Sequence, residues 1–75
     1  MAKNFTVAVH DPHSICLYDA ETGGYEGIIY VTSGSIIGTP IINPKSVSVT
    51  YTENGSTYMS IFDLPSKGFN KKIYL

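Results

Sequence analysis

Ser46-Val-Ser-Val-Thr-Tyr-Thr-Glu-Asn54-Gly55-Ser-Thr-Tyr-Met-Ser-Ile-Phe62 decides how this chain folds, because a period-two alternation runs into Asn-Gly and continues on the other side. Asn-Gly supplies the positive φ angles of a type I′ turn, whose twist matches the strands it joins. With Asn54 and Gly55 as the loop, Glu53 faces Ser56, Tyr51 faces Tyr58, Val49 faces Ser60 and Val47 faces Phe62. That register gathers Val47, Val49, Tyr51, Tyr58 and Phe62 on one face. Ser48, Thr50, Thr52, Thr57, Met59 and Ile61 take the other. A hairpin with one apolar face is marginal in water and needs a second layer to bury it.

Turn signals divide the rest of the chain into short runs. Phe5 to Val9 alternates with Phe5, Val7 and Val9 on one side, and stops at His10-Asp-Pro-His-Ser14. Ile15 to Tyr18 is a second run, closed by Asp19-Ala-Glu-Thr-Gly-Gly24. Tyr25 to Thr32 is a third, whose unbroken Ile28-Ile29-Tyr30-Val31 predicts a central strand covered on both faces. After a turn at Ser33-Gly34, Pro40 makes Ser35 to Ile42 either an edge strand or two pieces split near Gly38, since proline cannot donate to a ladder. Asn43-Pro44-Lys45 turns into the long hairpin, Leu64 to Phe69 is a loop, and Lys71 to Leu75 is a last strand. No segment carries a helical period. The expected fold is all-β, one domain over residues 1–75, a small antiparallel barrel or sandwich of six to seven short strands.

At 75 residues the chain buries only about 60% of the surface its unfolded form exposes, so its core is small. Domains of this size commonly add disulfides, a metal or further subunits. One cysteine, Cys16, allows no internal disulfide. Met1-Ala2-Lys3 leads straight into an apolar alternation with no signal-peptide pattern, and no run approaches the ~20 apolar residues of a membrane span. Cytoplasmic synthesis without a membrane partner is expected, with the virion as one destination.

Net charge is −1 and charged residues make up 15% of the chain, all the basic ones being lysine. Arginine, the usual residue for bidentate phosphate and guanine contacts, is missing, which disfavours a nucleic-acid partner. Six tyrosines (Tyr18, Tyr25, Tyr30, Tyr51, Tyr58, Tyr74) with Lys67, Lys71 and Lys72 form the raw material of a stacking platform for single strands, as in small oligonucleotide-binding barrels. Tyrosine is equally a good strand former with a wet hydroxyl, which accounts for the same residues without a ligand.

His10-Asp11-Pro12-His13 with Cys16 is the one cluster with metal-ligand chemistry, but its spacing fits no closed zinc site and no second ligand pair exists. It reads as a turn, with Cys16 a small buried hydrophobe. Ser14 and Cys16 beside two histidines do not make a triad, which needs geometry and an oxyanion hole, and the carboxylates are scattered. Asp19 to Gly24 lacks the lysine of a phosphate-binding loop. No enzyme activity and no cofactor are therefore expected.

What remains is action through the surface. A low-charge Ser/Thr-rich exterior, exposed strand edges and an apolar last strand predict a structural or assembly subunit that contacts other protein subunits, as a homo-oligomer or within a larger assembly. The predicted interaction residues are Ile36, Ile37, Ile41 and Ile42 around Pro40, and Ile73, Tyr74 and Leu75, together with the Asp19 to Gly24 loop. Lys71 and Lys72 are the residues an edge strand uses to discourage uncontrolled pairing. The last strand pairs within its own sheet or adds to a neighbour's edge. A short, disulfide-free all-β chain of this composition resembles the accessory, decoration or connector proteins of phage particles; the resemblance rests on size and composition and implies no functional positions. A protein inhibitor or regulator would present the same kind of surface.

Overall fold

The computed structural model describes residues 4–75; Met1, Ala2 and Lys3, on which the leader reading partly rests, lie outside the described residues. Among the described residues eight strands follow in order: β1 (Phe5–Asp11), β2 (Ser14–Asp19), β3 (Tyr25–Tyr30), β4 (Ser35–Ile36), β5 (Ile41–Asn43), β6 (Ser46–Glu53), β7 (Ser56–Asp63) and β8 (Phe69–Tyr74). They form two antiparallel sheets, β1-β2-β3 and β4-β6-β7-β8, with β5 also on the β4 side of β6. The fold is all-β and sandwich-like. No hydrogen-bonded ladder joins the two sheets among the described residues, so the barrel does not close. The strand count exceeds the expected six to seven because Ser35 to Ile42 splits into two short strands. Pro40 and the positive φ of Gly38 (70°) fall in the gap, while both pieces still pair with β6.

The hairpin forms in the expected register throughout, from Glu53 opposite Ser56 to Val47 opposite Phe62. Asn54 (φ 51°) and Gly55 (φ 80°) supply the left-handed turn. Val47, Val49 and Phe62 then meet Phe5, Ile15, Leu17 and Ile29 of the other sheet, with Leu64, in one core. Ile15, Leu17, Val47 and Val49 are completely buried.

β3 is not the central strand of its sheet. That position belongs to β2, flanked by β1 and β3. Of the apolar run, Ile29 is buried in the core and Val31 packs half-buried against it; Ile28 (47% exposed) and Tyr30 (65% exposed) point to the other side. The run is continuous because one face packs and the other carries large residues outward, a pattern that imitates two-sided burial.

The link from β3 to β4 fixes how the layers meet. Gly34 lies so close to the β6 backbone that a Cβ would overlap the Thr52 carbonyl. Thr32, buried beside it, accepts a hydrogen bond from the Gly34 N–H (2.9 Å) and donates one to Glu53 Oε2 (2.7 Å). The first sheet is thereby pinned to the tip end of the hairpin.

Candidate interaction surface

Among the described residues β8 pairs with β7 alone: Ile73 lies opposite Met59, Lys72 opposite Ser60, Lys71 opposite Ile61, and Phe69 opposite Phe62 across a bulge. The expected internal pairing of the last strand is therefore present, and its far edge is open to solvent. Alternation assigns each side chain. Phe69, Lys72 and Tyr74 continue the core-side face of the large sheet, while Lys71 and Ile73 continue the opposite face with Met59 and Ile61.

On β8 the core-side face is largely uncovered and runs out into a shelf. Phe69 is 61% exposed and Tyr74 71% exposed although they are in line with buried Phe62 and half-buried Tyr58. The rings are ordered by one another. Tyr51 and Tyr58 have centroids 5.7 Å apart, Tyr58 and Tyr74 5.3 Å edge to face, and Phe62 and Phe69 5.9 Å edge to face. The two edge-to-face pairs align ring edges with ring faces, which stabilises them beyond their buried area. At the buried end, Tyr51 Oη and Ser60 Oγ share a hydrogen bond of 2.8 Å.

Lys72 is held within this ladder. Its ammonium sits 4.1 Å from the centre of the Tyr58 ring and 3.7 Å from Glu53 Oε1. The Glu53 carboxylate also accepts the Thr32 hydroxyl and, from Ser33, the hydroxyl (3.2 Å) and the amide. These donors, Thr32 foremost, hold the Glu53 carboxyl below the usual glutamate range, outweighing its partial withdrawal from water. The shelf's cation is consequently compensated in place.

The predicted contact residues divide by face. Ile36 and Ile42 pair with Tyr51 and Val47, so both lie half-buried against the core. Ile37, Ile41, Ile73, Tyr74 and Leu75 are exposed. The Asp19 to Gly24 loop is a built turn: Asp19 Oδ1 accepts the Glu21 and Thr22 amides, and Gly23 takes a φ of 76°.

The tyrosines do not share one platform. Register places Tyr18, Tyr25 and Tyr30 on the outward face of the small sheet, and Tyr51, Tyr58 and Tyr74 on the core-side face of the large one. Lys71 and Lys72 likewise point to opposite faces of β8. Sequence reasoning placed Tyr58 on the apolar face of the hairpin and Lys72 on a strand edge, and named both as platform members; it missed Glu53 and Phe69 as parts of the shelf. The Glu53–Lys72 pair depends on β8 lying beside β7, which local sequence does not encode.

The His10 to Cys16 segment runs from the end of β1 through a turn at Pro12-His13 into β2. Asp11 Oδ1 accepts the His13 amide (2.8 Å) and the Ser14 hydroxyl (2.9 Å), contacts that lower its pKa, and Cys16 is buried. A shallow recess lies between the sheets at Phe5, Ile42 and Pro44. No helix among the described residues is long and apolar enough to cross a membrane. The chain matches no protein-family model, no curated protein and no solved structure.

Proposed function

We propose that this protein is a non-enzymatic structural subunit that works by contacting other protein subunits, of the kind that decorates or connects parts of a phage-like particle. One observation carries the reading: a domain with few residues to spare for its core leaves Phe69, Ile73, Tyr74 and Leu75 exposed together on and beside an open strand edge, with Ile41 exposed across the large sheet. Exposed apolar patches rimmed by polar residues mark interaction sites in soluble proteins. The rim here is serine, threonine and lysine, in keeping with the depletion of charge at interface centres.

Light scattering across a concentration series tests the reading directly. A concentration-dependent or closed oligomer supports it, and removal of residues 73–75 abolishes assembly or folding. A monomer at every concentration, with truncation changing neither mass nor melting point, refutes it. One copy bound per enzyme would instead indicate an inhibitor. The Tyr51-Tyr58-Tyr74 ladder favours a second reading, a single-stranded nucleic-acid module, which Glu53 weakens by compensating the nearest lysine. Retention on single-stranded DNA at about 150 mM salt distinguishes it, since phosphate-driven binding falls steeply with salt.

A further inference from the structure

The hydrogen-bonding phase of β8 can be read from two ends of the large sheet. At the tip, a two-residue turn makes Glu53 and Ser56 a hydrogen-bonded pair, so the even-numbered residues of β7 bond β6 and the odd-numbered ones bond β8. At the far strand, the Leu75 amide donates to the Thr57 carbonyl at 2.9 Å. Both require Lys71, Ile73 and Leu75 to bond β7, and both turn the N–H and C=O of Lys72 and Tyr74 toward the open edge. Such an edge takes another strand.

Resting on the assembly reading above, we infer that the strand it takes is β8 of a second copy, paired antiparallel about a two-fold axis through Ile73. In that register Lys72 and Tyr74 of each copy form hydrogen-bonded pairs with Tyr74 and Lys72 of the other, satisfying all four outward groups of each strand. Ile73 meets Ile73 across the axis as a non-hydrogen-bonded pair on the face of Met59 and Ile61. On the other face each Lys72 lies opposite a Tyr74 ring, a cation–aromatic pairing already made to Tyr58 within the chain. The register one step away places Lys72 opposite Lys72, and like charges directly opposite are destabilising. Lysine ordinarily guards an edge; here Glu53 at 3.7 Å partly offsets the charge of Lys72, and Lys71 faces Leu75 of the second copy rather than another charge. β3 is a poorer edge, because Gly27 (φ 133°) and the irregularity between Leu17 and Tyr18 distort its ladder.

One strand pair buries less than the roughly 1,000 Å² that marks a stable interface, so pairing depends on concentration over about 1 μM to 1 mM. The test is oxidative cross-linking of full-length Ile73→Cys and, separately, Lys72→Cys, with the wild type as control for buried Cys16, alongside light scattering. Non-hydrogen-bonded partners sit with Cα atoms about 4.5 Å apart, within disulfide range. Ile73→Cys is expected to give a covalent dimer, and Lys72→Cys and the wild type to give none. Tyr74→Pro removes an N–H that points only outward, so it should keep the chain's circular dichroism and weaken association at least about tenfold. Cross-linking through Lys72→Cys alone, or undiminished association of Tyr74→Pro, overturns the seam. An oligomer in which Ile73→Cys does not cross-link refutes the seam and leaves the assembly reading standing; a monomer throughout refutes both.

Discussion

Single residues set the tolerances of this fold, and Glu53 sets the most. Its carboxylate faces the Thr32 hydroxyl, both Ser33 donors and Lys72. Because these contacts depress its folded-state pKa, they add stability that is complete above the unfolded glutamate pKa and is lost as pH falls through the lower folded value. Asp11 titrates in the same sense. Thermal melts from neutral pH downward should therefore show the melting temperature falling as the medium becomes acidic, and Glu53→Gln should flatten the part of that fall due to Glu53. A second test sits at Tyr51 and Ser60, each 2% exposed and bonded to the other. Tyr51→Phe or Ser60→Ala alone strands a buried polar atom and should cost about 1–3 kcal/mol, while the double variant should cost much less than the sum. Denaturant titration of the four proteins measures the coupling. Gly34→Ala forces a methyl group into the Thr52 carbonyl and should destabilise by about 3 kcal/mol, at the upper end of overpacking.

Among the elements, the hairpin was the most legible in the sequence because its register is decided within residues 46–62. Asn54-Gly55 fixes the turn and alternation fixes the faces, with no need to know what lies opposite. Gly55→Ala puts a Cβ into the left-handed region and should cost about 1–2 kcal/mol, read from chemical denaturation. The β3 segment misleads for the converse reason. Ile28-Ile29-Tyr30-Val31 states that the segment is apolar but not which neighbour covers each face, and strand order is settled by contacts far apart in sequence. The candidate surface was half legible on the same principle. That Ile73 and Tyr74 end a paired strand, with Leu75 bonded to Thr57 just beyond it, agrees with what their apolar composition predicts. That Ile36 and Ile42 turn inward followed only from their register on β6, which the break at Gly38 and Pro40 conceals in the sequence. Glu53 and Lys72 met because two non-adjacent strands flank β7, a fact of topology rather than pattern.

At the scale of the whole molecule, two sheets with no shared ladder among the described residues depend on one core, and among those residues neither has another layer to bury its apolar face. β2 contributes Ile15 and Leu17, both fully buried, and the hairpin contributes Val47 and Val49 from the other side. Separating the sheets would expose all four at once, and a three-stranded sheet alone has little to hold it. The two sheets should therefore unfold in a single transition. Stabilities of about 0.05–0.15 kcal/mol per residue place a chain of this length at about 4–11 kcal/mol. Leu17→Ala, which leaves a cavity at the centre of the small sheet, should cost about 2–5 kcal/mol of that. Hydrogen exchange distinguishes a shared core from two separate ones. With one core, the slowest amides of β2 and of β6–β7 lose the same protection in Leu17→Ala, although no residue of the hairpin has been changed. Protection lost in β1–β3 alone, with the hairpin as slow as in the wild type, would mean that the large sheet stands by itself, and the small sheet would then be a cover rather than half of the core.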